Sequence, residues 1–243
     1  MHSTRDFDPP PYLGVDLTSR YGHAPRPNDV CGLVPLAPGR LRAYFWHWRW
    51  DHPPPQPPDV GPLLKELRRA RCVMIDGPQA LAALGCSARA SERACHTPAR
   101  TPDREPSVDR PYGGFIRSAV ALFEALARAG LAISPPELQG GIHEFYPAYA
   151  WRCLAGERLA RKQSPDGRRQ RGSLLKDLGV ELPRGFRAPH DQNDACLGAV
   201  LAAAADGRVP GVRVEALGEP LRRDRCGSLR EGPIVVPRLD SRC

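Results

Sequence analysis

Five acidic residues lie in or beside segments whose apolar pattern predicts burial, where an unpaired charge would be unfavourable. They are Asp16, Asp76, Glu144, Asp191 and Asp194. The first two each end an apolar run typical of a buried strand, the third lies inside a short apolar segment, and the last two open an alanine-rich helix. A buried carboxylate is costly unless it is paired, and a divalent cation is a common functional partner. The pattern predicts a site for hard metal ions and phosphate chemistry.

The elements that carry these acids can bring them together. If the strands that end at Asp16 and Asp76 are parallel neighbours, both carboxylates emerge at one edge of the sheet, where open α/β sheets place ligands. Asp191 and Asp194 are three residues apart and share a helix face that must pack on the sheet. We expect Asp16, Asp76 and Asp194 to bind Mg²⁺ or Mn²⁺, with Asp191 or Glu144 completing the site. Two such ions about 3.5–4 Å apart could drive hydrolysis of a phosphodiester.

Each of these acids also has an interpretation without chemistry. Asp191 could be only a helix N-cap, and Asp76 could shape the turn at Gly77. Glu144 could pair with a buried arginine. His190 could serve as a general acid or base, or it could simply begin the helix.

Basic residues suggest a polyanionic partner. The formal net charge is +8, from 35 Lys and Arg against 27 Asp and Glu, which is compatible with nucleic acid. Lys162, Arg168 and Arg171 lie in one basic segment and could clamp phosphates, although a solvated basic face explains them equally well. The arginine excess is also what GC-rich coding produces. The tryptophans of 46–50 alternate and could stack bases, but sheet packing is the commoner reason for such a stripe.

The chain shows no export or membrane signal. Its first eleven residues are polar, and no apolar run approaches the roughly 20 residues of a membrane span. We therefore expect a cytoplasmic protein whose eight cysteines are reduced thiols. Cys86, Cys95 and His96 could form a partial zinc site, but their spacing does not fit a zinc finger.

Hydrophobic patterning predicts an α/β domain with a mixed sheet. Strands are expected at 12–18, 30–35, 41–48, 71–78, 142–146 and 231–237, and helices from 59 and at 115–129, 148–154, 173–178 and 191–205. The polar stretch 86–112 has no clear periodicity and is expected to be a long loop or a broken helix. The chain contains none of the motifs GxGxxG, GK[ST] in a phosphate loop, GxSxG or HExxH, so common nucleotide-binding and hydrolase folds lose support.

Several short motifs resemble a family of predicted nucleases with an RNase H-like fold. They are YLGVDLTSR, VMIDGPQAL, HEFYPAYAWR, KQSPDGRRQR, HDQNDACLGAVLAAAA and EGPIVVP, in that order along the chain. The resemblance implies a single domain over 12–237 between an extension at 1–11 and a tail at 238–243. It also implies a five-stranded mixed sheet, its first three strands antiparallel, flanked by helices. Asp16 would lie on the first strand and Asp76 on the fourth, with the other three acids as further candidates and Lys162 nearby.

Three functions compete at this point. The first is a metal-dependent phosphodiesterase, most simply a nuclease. The second is a non-catalytic protein that binds nucleic acid or nucleotides on the same fold. The third is a phosphotransferase of the same superfamily, which is disfavoured because no glycine-rich phosphate loop follows Asp16.

Overall fold

The computed structural model describes residues 10–21, 24–50, 54, 56–186 and 189–240. In chain order its elements are β1 (Tyr12–Asp16), β2 (Asn28–Ala37), β3 (Arg40–Trp48), α1 (Gly61–Leu67), β4 (Cys72–Asp76), α2 (Ala90–Cys95), α3 (Gly113–Arg128), β5 (Gly141–Phe145), α4 (Pro147–Ala155), α5 (Pro165–Asp177), β6 (Val180–Glu181), α6 (His190–Ala205), β7 (Val212–Leu217), β8 (Arg222–Arg223), β9 (Leu229–Arg230) and β10 (Ile234–Leu239). Strands and helices alternate over much of this order, as the sequence pattern predicts.

The central sheet has the mixed topology that was expected. Its strand order is β6-β3-β2-β1-β4-β5-β10-β7. Strands β1, β2 and β3 are antiparallel neighbours, whereas β4 is parallel to β1 and β5 is parallel to β4. The five expected strands therefore form the centre of the sheet in the expected directions. The sheet is wider than the five strands that the resemblance implies. Strand β6 extends one edge, and the other is extended by β10, which overlaps the strand expected at 231–237, and by β7.

Apolar side chains cover both faces of this sheet, which explains the continuous apolar runs in its central strands. On one face α4, α5 and α6 pack on residues such as Tyr12, Cys31 and Met74. On the other face α1 and α3 pack on residues such as Leu13 and Val73. The tryptophan stripe belongs to this second layer, where Trp48 is buried against Trp50 with ring centroids 4.5 Å apart. The packing interpretation of the stripe is confirmed.

Helix α6 lies directly on β1 because two glycines meet there. A Cβ atom on Gly14 would lie 2.0 Å from the carbonyl oxygen of Ala195 and 2.3 Å from the amide nitrogen of Ala199. A Cβ atom on Gly198 would lie 2.8 Å from the ring of Phe145 and 3.1 Å from the Cα atom of Gly14. Neither position has room for a side chain, so the two backbones themselves form the contact. This contact fixes where the first turn of α6 meets the end of β1.

One expected helix boundary needs correction, and two further elements complete the local picture. Helix α5 begins at Pro165, eight residues before the expected start, because Ser164 caps it: the Ser164 hydroxyl accepts a hydrogen bond from the amide of Gly167 at 3.0 Å. The polar stretch 86–112, expected to be a long loop or a broken helix, contains the short helix α2. Strand β7, with the sequence VRVEAL, was not predicted from the sequence, and it pairs antiparallel with β10 at the sheet edge.

The cysteines of the described residues are free thiols. Cys31, Cys72, Cys95 and Cys196 are buried, whereas Cys226 is exposed. Cys243 lies outside the described residues. Within the described part of the chain, no helix is long and apolar enough to cross a membrane.

Replacement of Gly14 tests the close helix–strand contact. We expect Gly14→Ala to lower the free energy of unfolding by about 3 kcal/mol or more, because the new methyl group meets backbone atoms that cannot move aside. Gly172→Ala in α5 is the matched control. A Cβ atom there meets nothing within 4 Å, so this variant should be about as stable as the wild type or slightly more stable. Urea denaturation of both variants measures the difference, and an equal effect of the two would contradict the contact.

Candidate metal centre

Three aspartates form a row across the sheet at its centre. Asp16 at the end of β1 lies opposite Asp29 of β2 on one side and Asp76 of β4 on the other. Residues in register on neighbouring strands point to the same face, and this is the face that packs against α6. The expected meeting of Asp16 and Asp76 at one sheet edge is therefore observed.

Helix α6 adds two more carboxylates to this row. Its N-terminal turn carries Asp191 and Asp194, which are 8% and 1% exposed. Oxygen atoms of Asp16, Asp29 and Asp191 all lie within 4.8 Å of one another, and we call these three residues the three-aspartate group. Such a spacing allows all three to contact a single cation. The two remaining acids, Asp76 and Asp194, border this group.

Asp29 was not among the residues predicted from the sequence. It lies near the start of β2 rather than at the end of a strand, so the pattern that identified Asp16 does not apply to it. The signal that could have found it is the hairpin: because β1 and β2 are antiparallel, the start of β2 lies beside the end of β1. His47 of β3 lies next in the row, with its Nδ1 atom 3.2 Å from Asp29 Oδ1.

Asp194 is held by two hydrogen bonds. Trp151 of α4 donates its indole Nε1–H to Oδ1 at 2.6 Å, and Lys162 donates from Nζ to Oδ2 at 2.9 Å. Both carboxylate oxygens of Asp194 thus already have a partner. Lys162 Nζ also lies 3.9 Å from Asp191 Oδ1, and its side chain is 42% exposed, so the ammonium group lies between the acids and solvent.

A second cation approaches Asp191 from the loop after β1. Arg26 Nη1 lies 3.1 Å from Asp191 Oδ2, and the arginine side chain is 69% exposed. The loop is held by Thr18, whose hydroxyl donates to the carbonyl of Arg26 at 2.7 Å and whose amide donates to Asn28 Oδ1 at 2.7 Å. His190, which begins α6, places Nδ1 3.2 Å from Asp191 Oδ1.

The carboxylates are crowded enough to disfavour their own ionisation. Burial and then the charges of Asp76 and Asp194 raise the pKa of Asp16 well above its ordinary value. Burial and then Asp194 raise the pKa of Asp76 to about 8, although Lys162 and a hydrogen bond to Asp16 oppose the shift. Burial opposes the charge of Lys162, but the carboxylates of Asp194, Asp16 and Asp191 together outweigh it and raise the pKa of the ammonium group.

This excess of negative charge suits a divalent cation. Among the described residues, Lys162 and Arg26 are the lysine and arginine side chains within ion-pair distance of the five aspartates. No ion pair of that kind reaches Asp16 or Asp76 in the same part of the chain. An all-oxygen set of carboxylates matches the preference of Mg²⁺ and Mn²⁺. The residues present therefore fit a hard metal ion.

Glu144 is placed differently from the aspartates. It lies on β5 and accepts two hydrogen bonds from the guanidinium of Arg89, at 2.6 and 2.5 Å, and one from the amide of Gln79 at 2.9 Å. Arg89 is fully buried and also contacts Glu92. The alternative weighed from the sequence, pairing with a buried arginine, is thus what the structure shows. This ion pair also anchors the polar stretch 86–112, whose sequence shows no clear periodicity and whose position in the fold was therefore not predicted.

The predicted basic residues fall into two environments. Arg168 is exposed on α5 and lines a cleft of about 830 Å³. Arg171 is buried: its Nη1 atom donates to the carbonyls of Ala160 and Gly167, and its guanidinium lies 5.6 Å from the ring centroid of Trp151. Arg171 therefore stabilises the segment before α5, and Arg168 is the one of the two that faces solvent.

Comparison with known proteins identifies the family. Residues 38–215 match the family described as "Protein of unknown function (DUF429)", and the chain belongs to this family. The match includes Asp76, Asp191 and Asp194 but begins after Asp16 and Asp29. No curated protein matches the chain. Among solved structures, RuvC of T. thermophilus in complex with a Holliday junction substrate is similar in fold, with 14% identity and a TM-score of 0.41 over 81% of this chain and 95% of that one.

The raised pKa of Asp76 predicts a pH dependence of stability without metal. In the folded protein Asp76 stays protonated up to about pH 8, whereas in the unfolded chain it ionises near its ordinary value of 3.8. The unfolded state therefore binds fewer protons between these values, and stability falls as pH rises, by up to about 1.4 kcal/mol per unit. We expect Asp76→Asn to flatten this slope in EDTA, and Asp109→Asn, an exposed control, to leave it unchanged. Denaturation at several pH values measures both, and parallel slopes for wild type and Asp76→Asn would contradict the assignment.

Proposed function

We propose that this DUF429 protein is a metal-dependent phosphodiesterase that cleaves nucleic acid, with its centre at the three-aspartate group. The observation that carries the proposal is the convergence of Asp16, Asp29 and Asp191 oxygens within 4.8 Å at the end of the central strands. Buried acids are normally paired in proteins, but no ion pair reaches Asp16 among the described residues, and Asp76, Asp194 and Asp191 lie close enough to raise its pKa. A site built only for stability would not gather them.

The division of roles follows from the contacts. Asp16, Asp29 and Asp191 would hold Mg²⁺ or Mn²⁺, and Asp76 would extend the site on the β4 side. This revises the ligand set expected from the sequence, Asp16, Asp76 and Asp194, because the oxygens that converge belong to Asp16, Asp29 and Asp191. The oxygens of Asp194 accept hydrogen bonds from Trp151 and Lys162. The bound ion would supply Lewis-acid activation of the phosphodiester and of the attacking water.

The chain's own cations would orient the substrate. Lys162 and Arg26 both contact Asp191 while remaining partly exposed, so each can also donate to a phosphate oxygen. Lys162 is fixed by Asp194, which in turn is fixed by Trp151. Asp194 thus acts as the positioning residue for the ammonium group. Glu144 is not assigned a role at the centre, because both of its carboxylate oxygens accept hydrogen bonds from Arg89 or Gln79.

Nucleic acid is the proposed substrate class. The net charge of +8 favours a polyanion, even though the centre itself is acidic. The exposed Arg168 lies in the cleft that also includes Asn193, a residue of the same helical turn as Asp191 and Asp194. Positive charge therefore lies beside the carboxylates, where a phosphate backbone would approach.

Cleavage assays with defined substrates test this function. We expect the purified protein to cleave labelled single-stranded or double-stranded DNA or RNA with Mg²⁺ or Mn²⁺ and not in EDTA. Asp16→Asn should lower the rate by more than about 100-fold, because loss of even an outer partner of a metal ligand costs 10- to 100-fold. The same variant should fold and be at least as stable as the wild type in EDTA, because one charge leaves a crowded cluster.

The matched control is Asp109→Asn, which makes the same chemical change at an exposed position. It should leave both rate and stability unchanged. Activity that persists in Asp16→Asn would point to a contaminating nuclease and contradict the proposal. A large loss of stability in Asp16→Asn would mean that the carboxylate has a structural partner. Metal-dependent binding without cleavage of any substrate would favour the non-catalytic alternative.

A further inference from the structure

A cleft separate from the carboxylates runs along one side of α5. Its volume is about 830 Å³. The helix lines it with residues at positions 165, 168, 169, 172, 173 and 176, a spacing of three and four that belongs to one helix face. Leu182, Phe186 and Asn193, which lies in the first turns of α6, complete its lining. We call this space the α5 cleft.

Asn193 is an unusual residue to find at the wall of a cleft. It is 1% exposed, and neither its side-chain oxygen nor its side-chain nitrogen has a hydrogen-bond partner among the described residues. Buried amides in folded proteins are nearly always paired, since burial without a partner is costly. An unpaired donor and acceptor side by side are explained if a ligand with a complementary acceptor and donor completes them.

The rest of the α5 cleft supplies what such a ligand would need. Arg168, Arg169 and Lys176 are exposed cations on the α5 face, and Arg169 also pairs with Asp166. Phe186 stacks on Phe45, with ring centroids 4.3 Å apart and an interplanar angle of 23°, so its position is fixed by packing. Cations can hold phosphates, and a fixed aromatic ring offers a stacking surface for a base.

We propose that the α5 cleft binds a single-stranded segment of nucleic acid and holds one adenine base at Asn193 and Phe186. The side-chain amide of asparagine offers one donor and one acceptor, which matches the N6 and N7 atoms of adenine. Arg168 and Lys176 contact the phosphates on either side. The inference rests on the proposed function in taking nucleic acid as the substrate class, and it adds a base preference next to the metal centre.

The position of Asn193 in the chain explains how such a subsite would act. Asn193 lies between Asp191, which belongs to the three-aspartate group, and Asp194, which positions Lys162. A base held by Asn193 therefore fixes the strand relative to the same helical turn that carries the acids. The subsite sets which phosphodiester reaches the centre.

Fluorescence anisotropy in EDTA tests binding apart from cleavage. The probes are labelled single strands of dA, dT and dC, each of about 12 nucleotides, within the span of typical single-strand sites. We expect the wild type to bind dA most tightly. Asn193→Leu should weaken dA binding about tenfold and leave dT and dC unchanged, because one bidentate contact is lost. Its melting temperature should equal or exceed that of the wild type, since an unpaired buried amide has been removed.

Two arginine variants separate the phosphate contacts from the base contact. Arg168→Gln should weaken all three strands alike and reduce the slope of affinity against salt by about one charge. Arg69→Gln, which removes the same charge from an exposed position just after α1, should leave binding of the dA strand within twofold of wild type. If Arg168→Gln and Arg69→Gln lowered the affinity for the strands equally, only the net charge of the protein would matter. That result would overturn the α5 cleft as the binding site.

The remaining outcomes also distinguish the two proposals. Equal binding of dA, dT and dC, no binding of any of them, or unchanged dA preference in Asn193→Leu would overturn the adenine subsite. Any of these results could accompany metal-dependent cleavage by the wild type, which would leave the proposed function standing. Conversely, an Asn193-dependent dA preference in a protein that cleaves nothing would support the subsite and contradict the nuclease.

Discussion

The backbone contact between β1 and α6 is the constraint on which the rest of the centre depends. Gly14 and Gly198 have no side chains to hold the two elements apart, so Ala195 and Ala199 lie directly over the strand. A side chain on either glycine would push the helix outward. The acids of the first turn of α6 would then move away from Asp16. Packing of two small residues thus determines the spacing of charged residues one or two turns away.

Buried acids in this part of the protein have two different kinds of surroundings. Glu144 is neutralised by a fully buried arginine, with every carboxylate oxygen paired, which is the arrangement expected of a structural acid. Asp16 and Asp76 share their surroundings with other aspartates, and the pKa of both is raised by burial and by those neighbours. Crowding of this kind lowers stability in the absence of a cation. Proteins accept such a cost at functional sites.

The sequence predicted those parts of the centre that depend on strand ends. Asp16 and Asp76 follow continuous apolar runs, so their meeting at one sheet edge could be inferred from two parallel strands. Asp29 could not be found in the same way, because its place in the row depends on the register of β2 on β1, and the long segment between these strands does not set that register. Glu144 and Arg171 looked like functional residues, but their partners come from segments distant in sequence or without periodicity. Contacts of that kind appear only once the fold is known.

The central claim is that Asp16, Asp29 and Asp191 together bind a hard divalent cation. The most direct measurement is anomalous diffraction from crystals of the full chain containing Mn²⁺. We expect an anomalous peak coordinated by oxygens of these three aspartates, at distances of about 2.0–2.2 Å, with the peak lost in Asp16→Asn crystals. The claim would be contradicted if manganese bound elsewhere while these three carboxylates were hydrogen-bonded only to protein groups. A zinc ion bound by cysteine in place of oxygen would contradict it as well.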